Sequence, residues 1–194
     1  MFVSTLLAVA LAAPVPKAKP SELYFPTVEG TKRVMTISSG GQTSEITETY
    51  TKVLEKDGKY TVTISRELRG GTVTNDYEVS DKGVFLPASP GANADPEPML
   101  KLPAKEGDTW IIDMSRRGQG VTGTVTVGKE EEVEVLAGKF KAIAVTIETS
   151  QGGCTVSKTK AWYAAGVGVV KQVSERGGTE RVHELKEFTP GQAK

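Results

Sequence analysis

The chain of 194 residues has one cysteine, Cys154, and one histidine, His183. A lone thiol cannot form an intramolecular disulfide, and one residue of each kind cannot close a zinc site. Neither charge is in excess: 24 Lys and Arg balance 24 Asp and Glu, for a formal net charge of zero. A nucleic-acid binder ordinarily carries a basic surplus that displaces counterions from phosphates, and a protein held on acidic lipid carries a dense Lys/Arg run. Both are missing, so nucleic acid is not expected as a partner. Leucine is scarce, at 11 residues against 22 valines and 22 threonines. β-Branched side chains are stiff and fit a pleated surface, so this bias favours strands over helices. Past the first 13 residues no apolar run is long enough to cross a bilayer as a helix; no transmembrane segment is expected, and the mature protein is expected to be soluble.

The first residues read as an export signal. Phe2 to Ala13 is apolar except for Ser4 and Thr5, the length of a signal-peptide apolar core. Ala10-Leu11-Ala12 has the small-x-small pattern that a signal peptidase needs, although no Lys or Arg precedes the run. The expected organisation is a signal peptide over residues 1–12 and a Pro/Lys tether over 13–22, with Pro14, Pro16, Pro20, Lys17 and Lys19. A single all-β domain over 23–190 follows. Export places the protein in the periplasm or outside the cell. Cys154 is too far from the cleavage region to be a lipid-anchored N-terminal cysteine.

What remains is strand after strand. Tyr60, Val62 and Ile64 alternate with Thr61, Thr63 and Ser65, so a period of two puts them on one face. Val121 to Val127 alternates in the same way, Val133 and Val135 oppose Glu132 and Glu134, and Ile143, Val145 and Ile147 follow. Asp57-Gly58, Gly70-Gly71, Gly152-Gly153 and Gly177-Gly178 mark tight turns between them. Ile46, Tyr50, Val53 and Leu54 also fit helical spacing, but Thr47, Thr49 and Thr51 favour a strand.

The two halves match in order. Phe25 to Gly30 resembles Leu102 to Gly107, Val53-Leu54 before Gly58-Lys59-Tyr60 resembles Val135-Leu136 before Gly138-Lys139-Phe140, and Gly70-Gly71 resembles Gly152-Gly153. The offsets are nearly constant, 106 − 29 = 77 and 135 − 53 = 82. This spacing predicts repeat one at about 23–90 and repeat two at about 100–188, each one sheet with an apolar face and no helix to cover it. Such sheets must cover each other or curl. The expected fold is therefore all-β: an antiparallel meander of two similar repeats forming a barrel, half-barrel or two-sheet sandwich. Leu86 to Pro103 is the long connection, and Pro87, Pro90, Pro96, Pro98 and Pro103 are expected to forbid ladder pairing there.

Three blocks in the second half carry a resemblance: Val135-Leu136-Ala137-Gly138-Lys139-Phe140-Lys141-Ala142, Trp162-Tyr163-Ala164-Ala165-Gly166-Val167-Gly168-Val169-Val170-Lys171, and Glu184-Leu185-Lys186-Glu187-Phe188. With the loop before Trp110 they resemble uncharacterised exported bacterial β-proteins with a TapB-like all-β fold. The resemblance implies a fold and a compartment but no catalytic residues. The first half departs from it: Lys32-Arg33-Val34 follows Glu29-Gly30 where an aromatic residue would be expected. Trp162 and Tyr163 must point to opposite faces, one into the core and the other toward solvent or a partner.

Chemistry has few places to reside. Nothing near His183 in sequence suggests a nucleophile–base–acid triad, and it reads as a strand-surface histidine. Cys154 follows a Gly-Gly turn with only Lys158 and Lys160 as basic neighbours. Asn93, Asp95 and Glu97 offer oxygens to calcium on a loop stiffened by prolines, and Glu130-Glu131-Glu132 beside Lys129 reads as a solvated hairpin. No cofactor, metal or catalytic residue is expected. The favoured function is a non-enzymatic envelope or periplasmic protein that binds a partner protein or surface. The alternative is a carrier of a lipid or other apolar ligand in the barrel, with Tyr60, Val62, Ile64, Ile143, Val145 and Trp162 lining the cavity. A third reading, a hydrolase built on Asp and Glu alone, requires two carboxylates facing each other across a cleft.

Overall fold

A computed structural model describes residues 23–68, 70–88, 95–113 and 121–192. The signal peptide and tether expected at 1–12 and 13–22 lie outside the described residues, as does Asn93 of the calcium reading. Twelve strands make up the described chain: β1 Lys32–Ser39, β2 Gln42–Lys56, β3 Lys59–Leu68, β4 Gly71–Ser80, β5 Gly83–Leu86 and β6 Glu97–Lys101, then β7 Thr109–Asp113, β8 Val121–Val135, β9 Gly138–Gln151, β10 Cys154–Ala164, β11 Gly168–Arg176 and β12 Thr179–Thr189. The ambiguous segment around Ile46–Leu54 is a strand. No helix occurs among the described residues.

All twelve strands belong to one antiparallel sheet, ordered β6-β5-β4-β3-β2-β1-β12-β11-β10-β9-β8-β7. The first and last strands pair from Lys32↔Thr189 to Ser39↔Arg181, which joins the two halves of the chain through their ends. The sheet curls until β6 and β7 face each other across a seam. There the Trp110 indole N–H donates to the Pro98 carbonyl at 3.0 Å, and Lys101 Nζ lies 5.1 Å from the Trp110 ring centroid. The result is a nearly closed barrel.

Turn chemistry sets the register. Asp57 and Gly58 both have positive φ, 53° and 74°, as a two-residue hairpin twisting with its strands demands. Gly40-Gly41, a turn without weight in the sequence reading, makes the same kind of hairpin between Ser39 and Gln42. The loops leading into each half also make matching bonds. Gly30 N–H and Gly107 N–H donate to the carbonyls of Tyr50 and Val127, and the N–H groups of Tyr50 and Val127 donate to Thr31 and Asp108.

One expectation about the long connection is corrected. Residues 97–101 form a strand despite Pro98, with Pro98 opposite Phe85 and a register shift between Val84 and Phe85. Strand β6 has a ladder partner on one side only, so a residue lacking an N–H is tolerated there. At the same place Gly83 has φ of 133°, and an added Cβ would run into the Leu100 carbonyl. Gly83→Ala is expected to destabilise by about 2–5 kcal/mol, from backbone strain plus a clash with backbone that cannot rotate aside. Urea denaturation measures it; an unchanged midpoint would mean that β6 yields freely.

Two clusters form the core. The larger runs through the barrel and includes Tyr50, Val62, Val84, Leu100, Trp110, Val125, Val145 and Tyr163. The smaller, with Met35, Val133, Val135, Ala142, Val170 and Leu185, forms where the β8–β9 hairpin bends at the register shift between Val127 and Glu130. Its tip reaches β12, where Ala137 N–H donates to the Leu185 carbonyl at 3.0 Å. Tyr163 is the inward member of the Trp162–Tyr163 pair.

Candidate functional site

Strands β1, β2 and β3 place three charged residues side by side on the inner face. The register puts Arg33 opposite Glu48, Glu48 opposite Arg66, and Arg66 opposite Val73. Each charged residue interrupts an apolar period-two face: Arg33 precedes Met35 and Ile37, Glu48 lies between Ile46 and Tyr50, and Arg66 lies between Ile64 and Leu68. Directly opposite residues of antiparallel strands project their side chains to the same side, so the three heads meet across about two strand spacings.

Their partners are specific. Glu48 Oε1 accepts from Arg66 Nε at 2.6 Å, and Glu48 Oε2 lies 3.4 Å from an Arg33 guanidinium nitrogen. Arg66 also donates to Asn75 Oδ1 at 2.7 Å and to the Tyr77 hydroxyl at 3.3 Å. Arg33 donates to the Tyr50 hydroxyl at 3.3 Å and to the Val169 carbonyl, while its Nε, fully buried, has no partner. The Arg33 side chain is only 4% exposed and that of Glu48 10%, whereas Arg66 keeps 25%. Arg33 is thus the floor of the arrangement, with Phe25, Tyr50 and Gly168 packed about it, and Arg66 stands nearer the solvent.

The charged row lines a cavity of 390 Å³ on the inner face of β4-β3-β2-β1-β12-β11. Its remaining wall is largely apolar: Met35, Ile37, Ile46, Ile64, Leu68, Val73 and Val169, with Gln172 and His183 from the far strands. Leu68 and Val73, beside the β3–β4 turn, are 44% and 45% exposed, so apolar groups mark the rim where the cavity meets solvent.

Electrostatics follow from this geometry. Burial pushes the Glu48 carboxyl up, but Arg33 and Arg66 outweigh it and hold the group below the ordinary carboxylate range. Burial works against the charge on Arg33 and Arg66 as well, and their neighbours more than restore it, so both remain guanidinium ions. Tyr50 is pushed up by burial, against the pull of Arg33, and stays neutral. Burial, then Arg181, lower the His183 pKa from 6.5, with Glu48 opposing and Arg66 assisting. The row therefore carries two positive charges and one negative, a net +1.

His183, expected on a strand surface, instead faces this cavity, because it lies opposite Ile37 and Gln172 on the inner side. A His whose folded pKa is depressed stabilises the fold fully above its unfolded pKa of 6.5 and loses that contribution as the pH falls through the lower folded value. His183→Gln is therefore expected to flatten the decline of the urea midpoint between about pH 7 and pH 5. Parallel wild-type and variant curves over that window would contradict it.

Of the six side chains proposed from sequence as a cavity lining, Val62, Ile64, Ile143 and Val145 share the main core cluster with Tyr60 packed against it, and Trp162 packs against the smaller one. Ile64 lines the central cavity. Val62 and Val145 are wholly inside the core at 0% and 1% exposure, and Ile143 lies in the same core cluster beside Tyr24 and Glu130. Tyr60 packs against the core edge near Val53. Trp162 is on the opposite side of its strand from Tyr163. It donates to Glu131 Oε1 at 2.5 Å and lies under Lys160, whose Nζ is 4.5 Å from its ring. Glu130, Glu131 and Glu132 each meet a lysine, at 2.5 Å for Lys141, 3.4 Å for Lys160 and 3.2 Å for Lys139, as a solvated hairpin would. Cys154 is exposed. Sequence reasoning missed Arg33, Glu48 and Arg66; the signal was a charge at an inward position of an otherwise apolar alternation.

No family model matches the chain, and no curated protein matches it. Solved structures do. A Bacteroides fragilis protein described as a candidate exported protein with a YmcC-like fold superposes with a TM-score of 0.61 at 16% identity, over 86% of this chain and 99% of that one. A Parabacteroides distasonis protein described as a candidate lipoprotein superposes with a TM-score of 0.57 at 17% identity, over 88% of this chain and 100% of that one. At such identities the likeness is one of fold. It bears on the all-β part of the family resemblance and adds nothing to the TapB-like naming.

Proposed function

We propose that the chain is an exported, non-enzymatic envelope protein that holds a small ligand inside its barrel. The observation that carries this reading is the 390 Å³ cavity with an apolar wall and a charged row at its floor. Its volume falls within the range of small-molecule sites, and a few fixed polar groups among apolar ones is the usual composition of such sites. The descriptions of the two structural neighbours as exported and lipoprotein candidates support the envelope. Among the described residues Glu48 is the one buried carboxylate, and two guanidinium groups hold it. Hydrolysis by paired carboxylates would need a second one facing it across the cleft, so binding is favoured over catalysis. An interior ligand is likewise favoured over a partner protein, because the unusual chemistry of this molecule faces inward.

Native mass spectrometry of the purified protein, before and after incubation with a lipid extract, tests the reading. Retained or acquired adducts of a few hundred daltons are expected. A mass that stays ligand-free under both conditions would remove it. Leu68→Asp, which puts a carboxylate on the rim, is expected to weaken uptake at least about tenfold while leaving the fold intact, because Leu68 is half-exposed and off the core. Uptake equal to wild type would place the route elsewhere.

A further inference from the structure

The ligand's charge can be specified beyond this reading, on which the inference rests. We infer that the cavity selects an amphiphile with a single anionic head, a carboxylate or a phosphate, which enters head-first and docks on Arg66 and Arg33 with its apolar chain along Ile37, Ile46, Leu68 and Val73. Three observations meet here. The row has one cation more than it has anions. Its guanidinium groups are not saturated: Arg66, a quarter exposed, has five N–H bonds of which Glu48, Asn75 and Tyr77 take three, and Arg33 Nε, buried behind it, has no partner. The polarity is also graded along the β1–β4 wall, with charge at the floor and Ile37, Ile46, Leu68 and Val73 toward the rim, while Gln172 and His183 line the facing strands; that wall matches a molecule charged at one end and apolar along its length.

Glu48 is then an internal stand-in for the ligand's head. Its carboxylate lies between Arg66 and Arg33, as an incoming anion would, and it keeps the buried Arg33 and the part-exposed Arg66 from facing each other unpaired. An arriving anion shares the guanidinium donors with Glu48 instead of finding them free. This keeps binding reversible, and it predicts that weakening Glu48 strengthens anion binding. A purely structural salt bridge would show no such response.

The test is displacement of a fluorescent apolar probe from the purified protein by four dodecyl compounds: dodecanoate, dodecyl phosphate, dodecanol and dodecyltrimethylammonium. A charge-assisted hydrogen bond in a site shielded from water corresponds to about tenfold to a hundredfold in affinity. Dodecanoate and dodecyl phosphate are each expected to bind more tightly than dodecanol by that factor, with the ammonium compound weakest. The tighter of the two anions identifies the head, and either order sustains the inference. Glu48→Gln is expected to widen the preference for anions over dodecanol. Arg66→Leu should abolish the preference while keeping dodecanol binding, and Arg66→Lys should restore part of it. Equal binding of all four compounds, or preference for the ammonium compound, would overturn the inference and leave the barrel as a ligand site. Failure of every compound to bind would overturn the underlying reading as well.

Discussion

Replacing Glu48 by alanine is expected to destabilise the fold by about 3–5 kcal/mol, because it leaves the Arg33 guanidinium buried with no counter-charge. Arg33 is 4% exposed, and Glu48 is the carboxylate within reach of it, so the charge can neither hydrate nor pair elsewhere. Against a total stability of roughly 5–15 kcal/mol for a domain of this kind, that is a large fraction. The loss is a cost of orphaning a charge and not the net worth of the pair. Replacing the whole row with apolar residues (Arg33→Met, Glu48→Leu, Arg66→Leu) is therefore expected to return stability to within about 2 kcal/mol of wild type. Chemical denaturation of the two variants measures both. If the triple variant is as weak as Glu48→Ala, the row is a structural element that apolar packing cannot replace. If it recovers, the charges are kept for something other than folding.

The same carboxylate adds a pH-dependent contribution to stability. Glu48 has a folded pKa below its ordinary 4.5, so its stabilisation is complete above that value and disappears as the pH falls through the lower folded value. Glu48→Gln is expected to lie below wild type at neutral pH and to approach it as the pH drops under 4.5. Denaturant midpoints across that range would show the curves converging; a constant gap would place the acid sensitivity elsewhere.

Trp110→Ala is expected to produce the second large effect, about 3–5 kcal/mol, for a different reason. Trp110 is 9% exposed and belongs to the main core, so truncation leaves a large void among Leu100, Val125 and their neighbours. It also carries the hydrogen bond from β7 to the Pro98 carbonyl of β6. Those two strands have no ladder between them, so the indole does at the seam what a row of backbone bonds does between β1 and β12. Amide exchange should therefore accelerate in β6 and β7 before it does elsewhere. Trp110→Phe, which keeps most of the packing and loses the donor, is expected to cost about 1–2 kcal/mol with the same local signature. Uniform acceleration over all twelve strands would show that the seam has no separate stability.

The position of Arg33 shows how far residues alone could carry the site. It stands three residues after Gly30, as Trp110 stands three after Gly107, and the sequence comparison registers it only as a missing aromatic. The parity of Arg33, Glu48 and Arg66 was legible: each shares a face with apolar residues at two-residue spacing. Their adjacency was not, because it depends on the pairing of β1 with β2 and β2 with β3, and on a register shift between Tyr50 and Lys52 that moves the ladder by one residue. The sequence also holds other charges at alternating positions, such as Glu130 to Glu134, which the structure places in solvated lysine pairs. Parity alone does not separate those from a buried row.

Local composition was sufficient for the class of structure. Valine and threonine in period-two runs, separated by Gly-Gly and Asp-Gly turns, allow strands and hairpins and little else, since each depends on residues a few positions apart. Composition also excluded a disulfide framework. Tertiary structure decided the rest: that the first and last strands join, that Pro98 can lie in a strand because its free edge faces a seam, and that two arginines and a glutamate share one chamber. Those outcomes rest on ladder pairs up to 157 positions apart, as in Lys32↔Thr189, where 189 − 32 = 157. Long-range pairing is selected by the fit of the whole sheet, which no local run of residues encodes.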